Sequence, residues 1–129
     1  LTPVVKKKIK YLYKNDFAPF KNKKTFFAMT AHVIYKDIDP INTATHSPKI
    51  IKLIRKKIGF KNIIISDDIS MKGLKYSIKQ NLQKALSAGC NLILHCNANY
   101  SEMRTVAENS PNVDNFIIQK TSQFYKFLS

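Results

Sequence analysis

The sequence predicts an α/β fold built on parallel strands, and a piece of a larger α/β domain rather than a closed one. Three observations lead there. Short, mostly apolar runs alternate with segments whose apolar residues recur at helical spacing, the pattern of strands buried on both faces beneath a layer of helices. Three such runs occur, over residues 26–33, 63–65 and 90–97. That is too few to close an eight-stranded barrel, so sheet edges and an apolar helix face remain to be covered. Finally, Ile63-Ile64-Ile65 stops abruptly at Ser66-Asp67-Asp68. Two carboxylates at the C-terminal mouth of a buried parallel strand are costly unless paired or hydrogen-bonded, and that end of a barrel strand is where such enzymes place their chemistry.

Taken in order, Thr2-Pro3 reads as a helix start, a capping side chain followed by proline at the first helical position. Val5, Ile9, Leu12 and Tyr13 then recur at i, i+4, i+7 and i+8, opposite Lys6, Lys7, Lys8, Lys10 and Lys14, which predicts an outer helix with one wet face. Phe17, Pro19 and Phe20 form an apolar connector. Residues 26–33 are the first buried strand, with His32 at or beside its end. A histidine there is either a satisfied structural residue or part of a site. Residues 35–46 carry Asp37, Asp39, Pro40, Asn42 and Thr43, a loop composition that would leave His46 exposed.

Ser47-Pro48 repeats the cap-then-proline signal. Ile50, Ile51, Ile54 and Ile58 follow on one face, Lys52, Arg55, Lys56 and Lys57 on the other, and Gly59 closes the helix. The helix leads directly into residues 63–65, so strand, loop, helix and strand form a βαβ unit whose two strands are parallel neighbours. A second helix is expected over residues 74–87, with Ile78, Leu82, Ala85 and Leu86 inward and Gly89 ending it. The third strand, 90–97, contains His95, expected in core packing or in support of a site. Two further helices, 100–109 and 113–128, are joined by Ser110-Pro111-Asn112.

Composition narrows the function. A length of 129 residues with 44% hydrophobic residues suffices for a core and argues against disorder. The chain starts at Leu1, no signal-peptide pattern opens it, and no apolar run approaches membrane-spanning length, so a soluble cytoplasmic protein is expected. Cys90 and Cys96 lie on one expected strand, roughly 20 Å apart, beyond disulfide reach, and read as small buried side chains in a reducing compartment. With only His32, His46 and His95 beside them, a structural zinc site is not supported. The net charge of +14 invites an anionic partner such as nucleic acid. The basic residues are 20 Lys and 2 Arg, spread along several helices and poor in the Arg forks of specific recognition, so solvated helix faces are the simpler reading.

Several motifs together resemble one family. Met29-Thr30-Ala31-His32-Val33, Ile38-Asp39-Pro40, the helix start over Thr45 to Pro48, Gly59-Phe60 and Ile64-Ile65-Ser66-Asp67-Asp68-Ile69-Ser70-Met71-Lys72-Gly73 are similar, in this order, to bacterial β-N-acetylhexosaminidases of glycoside hydrolase family 3. Residues 88–97 continue the likeness, and Leu1-Thr2-Pro3 with Phe17-Ala18-Pro19-Phe20 fits the stretch before it. The resemblance covers roughly residues 1–100. It implies a TIM-type (β/α)8 barrel of which these strands would be the sixth to eighth, residues 1–129 being the C-terminal portion of the N-terminal-type catalytic domain and incomplete as a barrel.

The resemblance further implies retaining hydrolysis of terminal N-acetylglucosamine from peptidoglycan-derived or related glycosides in the cytoplasm, without metal or organic cofactor. The residue pattern alone does not order the two carboxylates. The family pattern makes Asp67 the nucleophile and leaves Asp68 to hold the loop, with His32 and Met71 as sugar-pocket residues. The family's general acid/base and its sugar clamp belong to a region upstream and map to no residue here, and Asn62 stands where the pattern has Gly. Activity is therefore expected to need a complementing N-terminal fragment, with self-association as another way of covering the edges. The alternative is a non-catalytic basic protein that binds an anionic partner.

Overall fold

The computed structural model describes residues 2–128; Leu1, part of the first matched stretch, lies outside them. Its elements are β1 (Val4–Val5), α1 (Ile9–Lys14), β2 (Phe27–Met29), β3 (Ile34–Tyr35), α2 (Pro48–Leu53), β4 (Ile63–Ile65), α3 (Ile78–Ala88), α4 (Tyr100–Asn109) and α5 (Asn115–Leu128). Short 3-10 turns occupy Ala18–Phe20 and Ala44–His46. A π-helical stretch, Ile54–Ile58, prolongs α2 as far as Gly59, whose φ of 82° supplies the left-handed cap.

β2 and β4 are parallel neighbours, with Phe27, Ala28 and Met29 opposite Ile63, Ile64 and Ile65, as the βαβ pattern requires. On the other side of β4 the chain over residues 90–94 runs alongside but forms only one ladder bridge, Ile65 to Leu92. The expected third strand is thus an extended segment. Asn91 and Leu92 donate to the Ile64 carbonyl and Ser66 N–H to that of Leu92, but Leu94 N–H then finds the Ser66 hydroxyl at 3.0 Å. A side chain has taken the place of a backbone acceptor, and the ladder ends there.

The expected start of the first helix is corrected. Val4 and Val5 are extended and pair in parallel with Ile34 and Tyr35; the β-branched pair favours a strand over the helical spacing that Val5 shares with Ile9. α1 begins only at Ile9, and its first turn is held from a distance. Asp37 accepts from Ile9 N–H at 2.8 Å and from Lys8 Nζ at 2.9 Å. α3 starts at Ile78, capped reciprocally by Ser77 and Gln80, so residues 74–77 are loop.

The core has two parts. Ile51, Phe60, Ile64, Ala85, Ala88 and Cys90 pack between α2, α3 and the sheet, while Leu12, Phe17, Leu53 and Ile58 join α1 to the inner face of α2. α5 reaches back to β2, Phe124 stacking edge-on against Phe26 and Phe27 at 5.2 and 5.1 Å. Among the described residues no helix is long and apolar enough to cross a membrane.

The foot of β4 is tied by a polar clamp. Asn91 Oδ1 accepts from Ile64 N–H at 2.9 Å and from the Arg55 guanidinium at 2.7 Å, and Arg55 also donates to the Phe60 and Asn62 carbonyls. Asn91→Ala leaves the buried Ile64 N–H and one arm of Arg55 without an acceptor. The expected cost is about 1–3 kcal/mol, read as a lower urea midpoint with an unchanged slope.

Candidate active site

The site grows from the C-terminal ends of β2 and β4. Thr30 N–H donates to the Ile65 carbonyl at 2.9 Å, carrying the pairing one residue past β2, and Asp67 N–H donates to Thr30 Oγ1 at 3.1 Å. The chain then turns through residues 67–70. Asp67 is half-buried, and its Oδ1 accepts from Asp68 N–H at 2.8 Å.

Asp68 is bound very differently. Its Oδ1 accepts from Ser70 N–H at 2.9 Å, Ser70 Oγ at 2.7 Å and Cys96 N–H at 3.1 Å, and its Oδ2 from Ser70 Oγ at 2.8 Å. Burial works against ionising this carboxylate, but the Ser70 and Cys96 donors, with His95 nearby, outweigh it and hold its pKa below the ordinary value. Asp68 ties the β4 turn to the end of the 90–96 segment.

His32 is buried, 6% exposed. Its Nε2 lies 2.8 Å from the Asp68 carbonyl oxygen and its Nδ1 2.9 Å from Thr45 Oγ1, so both ring nitrogens are engaged inside the protein. Met71 is 47% exposed on the turn after Asp68. His95 Nε2 meets Glu102 Oε2 at 2.9 Å, and Asn97 donates to the same oxygen at 2.6 Å. These two contacts, the His95 hydrogen bond first, lower the Glu102 pKa. The pair fixes the start of α4 beside the site, and the pattern of residues 100–109 gave no hint of it.

Two expectations are corrected here. Cys96 is exposed, while Cys90 is buried; the chain has left the sheet by residue 96, so nothing covers the second thiol. His46 is buried at 5% exposure, because the supposed loop folds into the 3-10 turn Ala44–His46 and packs against α3. Asp39 organises that segment. Its Oδ1 accepts from Ile41 and Asn42 N–H, and its Oδ2 from Ser47 Oγ at 2.7 Å. Burial opposes the ionised form, yet the Ser47, Asn42 and Ile41 donors bring the Asp39 pKa to about 2.

Two open grooves, of about 440 and 520 Å³, flank α3 and α2. The first is bordered by Asn42, His46, Tyr76 and Lys84, the second by Arg55, Phe60 and Phe116; neither is lined by Asp67 or Asp68. The chemistry is therefore read from the strand ends and not from these concavities.

A family model described as glycosyl hydrolase family 3 N terminal domain matches residues 1–122. A beta-hexosaminidase of Actinobacillus succinogenes is 34% identical over 102 residues, 74% of this chain and 30% of that protein. The solved beta-N-acetylglucosaminidase from Thermotoga maritima aligns with a TM-score of 0.72 and 30% identity over 99% of this chain and 31% of the other. NagZ from Neisseria gonorrhoeae, solved in complex with N-trifluoroacetyl-D-glucosamine, aligns with a TM-score of 0.79 and 25% identity over 95% and 36%. The chain thus spans about a third of the length of the proteins it matches. It is a partial α/β unit with parallel strands, not a closed barrel.

Burial lowers the His46 pKa to about 4, with His32 and Lys84 acting in the same direction. Because the unfolded imidazole protonates near its ordinary 6.5, the unfolded chain binds more protons between about pH 4 and pH 6.5. The stability this gives is complete above about pH 6.5 and is lost as pH falls towards 4. Urea midpoints should fall through that window, by of order 1–3 kcal/mol in unfolding free energy, and His46→Phe should flatten the slope. Asp39 should add its own loss below about pH 4.

Proposed function

Because the chain belongs to the glycosyl hydrolase family 3 N terminal domain family, we propose that it carries the nucleophile side of a retaining β-N-acetylhexosaminidase site, with Asp67 as the nucleophile. The observation that carries this reading is the unequal hydrogen bonding of the two carboxylates. Asp68 accepts from Ser70 through three contacts and from Cys96 N–H, whereas among the described residues Asp67 accepts from Asp68 N–H, at Oδ1. A carboxylate with both oxygens engaged is a poor nucleophile, and Asp67 keeps Oδ2 available at the mouth of β4.

In the reaction that follows, an Asp67 carboxylate oxygen bonds to the anomeric carbon as the bond to the leaving-group oxygen breaks, giving a glycosyl ester. The leaving oxygen takes a proton from a general acid. Water then attacks the anomeric carbon, giving a proton back to the group that acted as general acid, and releases the sugar and the Asp67 carboxylate. The acid and the clamp on the sugar fall to the rest of the barrel, of which residues 1–129 supply the C-terminal part. The match over residues 1–122 and the one-third share of the relatives' length support that division. A terminal N-acetylglucosamine is supported as the substrate group by the relatives' names and by the bound N-trifluoroacetyl-D-glucosamine of one of them, and we propose a peptidoglycan-derived or related glycoside as its carrier. Free thiols at Cys90 and Cys96 suit a reducing cytoplasm.

The test is hydrolysis of a chromogenic N-acetyl-β-glucosaminide by the chain alone and with the remaining barrel supplied in cis or in trans. Turnover is expected only with the rest of the barrel, and Asp67→Asn should lower kcat by at least about 10³-fold. Undiminished turnover in Asp67→Asn would reject the assignment.

A further inference from the structure

Four hydrogen bonds at the mouth of the sheet join end to end. Asp67 N–H lies 3.1 Å from Thr30 Oγ1, Thr30 Oγ1 2.9 Å from Thr45 Oγ1, Thr45 Oγ1 2.9 Å from His32 Nδ1, and His32 Nε2 2.8 Å from the Asp68 carbonyl oxygen. The Asp68 end fixes the direction, since a carbonyl only accepts and a neutral imidazole that donates from Nε2 can only accept at Nδ1. With the imidazole neutral and its proton on Nε2, each hydroxyl donates once and accepts once. Asp67 donates to Thr30, Thr30 to Thr45, Thr45 to His32, and His32 to Asp68. The chain begins and ends on adjacent residues, so it closes a ring around the Asp67–Asp68 peptide. Thr30, Thr45 and His32 are all buried, which keeps solvent from competing for these bonds.

We propose that Thr30, Thr45 and His32 are positioning residues, a ring of side chains that fixes the backbone on either side of the Asp67 side chain while leaving its carboxylate free to react. This rests on the reading of Asp67 as the nucleophile. It gives His32 a part in the reaction without contact to the sugar, as both its nitrogens are committed to the ring. A nucleophile gains from this arrangement, because its approach angle is set by backbone held elsewhere and only one of its oxygens, Oδ1, carries a hydrogen bond.

The ring can be tested on the 129-residue chain without turnover. Long-range ¹⁵N NMR should show His32 as the Nε2–H tautomer. In Thr45→Val, which keeps the shape and removes the hydroxyl, Nε2–H still meets the Asp68 carbonyl, so the tautomer should persist while the Nδ1 signal shifts to that of a nitrogen without a donor, and the Asp67 amide should exchange about fivefold to tenfold faster. The Ile64 amide, held by Asn91 Oδ1, should be unchanged, and Thr45→Ser should restore the wild-type values. An Nδ1–H tautomer in the wild type, or an unaltered Asp67 amide in Thr45→Val, overturns the ring; the wild-type spectrum decides even if the valine variant does not fold. In the assembled enzyme, Thr45→Val should lower kcat and leave KM in place. A missing Nε2–H signature with turnover still abolished by Asp67→Asn rejects the ring alone, while an intact ring with turnover surviving Asp67→Asn rejects the nucleophile.

Discussion

Ile63 and Ile64 are about 1% exposed, and a backbone buried that deeply must find its partners within the protein. This requirement shapes everything around β4. On one side β2 supplies a parallel ladder. On the other the 90–94 segment supplies a single bridge, and side chains make up the difference, Asn91 at the foot of the strand and Ser66 at its mouth. Where regular pairing runs out, the structure replaces it with polar side chains, Ser66 accepting from Leu94 N–H and Asn91 Oδ1 shared between Ile64 N–H and Arg55.

That replacement is what makes the C-terminal end of β4 a place for chemistry. A strand that continued its ladder would present only backbone there. Here Ser66 is wholly buried and bonded to Leu94, and the chain turns sharply after it. The turn leaves one carboxylate with a single hydrogen bond and uses the next to bind the neighbouring segment. The difference between Asp67 and Asp68 is therefore set by the direction of the turn, two consecutive residues pointing towards different surroundings, and not by any difference in their chemistry.

Much of this was legible in the sequence, for physical reasons that also explain what was not. Residues 63–65 and the α2 face of Ile50, Ile51 and Ile58 were readable because burial on a strand or a helix imposes a period on side-chain polarity. Val4 and Val5 were misread because a two-residue strand is too short to show a period, and the i, i+4 coincidence with Ile9 stood in for one. The third strand was predicted as regular because apolar content reports burial, not pairing. His46 was placed in solvent because residues 36–47 are polar, yet their polarity is directed inward: Asp39, Thr43, Thr45 and Ser47 are all buried. Polar composition signals a loop only when the polar groups face water.

That inward-facing loop is the part of the site that a motif search sees least. Asp39 closes on Ser47, and Ser47 caps α2 through Ile50 N–H at 3.3 Å, so the 3-10 turn between them is held at both ends. Thr45 lies within that turn, fully buried, with its hydroxyl between Thr30 and His32. The Asp67–Asp68 turn on one βα loop is thus connected to a further carboxylate, Asp39, on the neighbouring βα loop, through Ser47, Thr45 and His32. A barrel places reactive groups on mobile connections at the ends of rigid strands, and linking two such connections to one another lets both be irregular while neither is free to move independently. In this chain that link is made by buried side-chain hydrogen bonds on either side of the 3-10 turn Ala44–His46, and it brings Thr30, Thr45 and His32, distant from Asp67 in sequence, to the same strand ends.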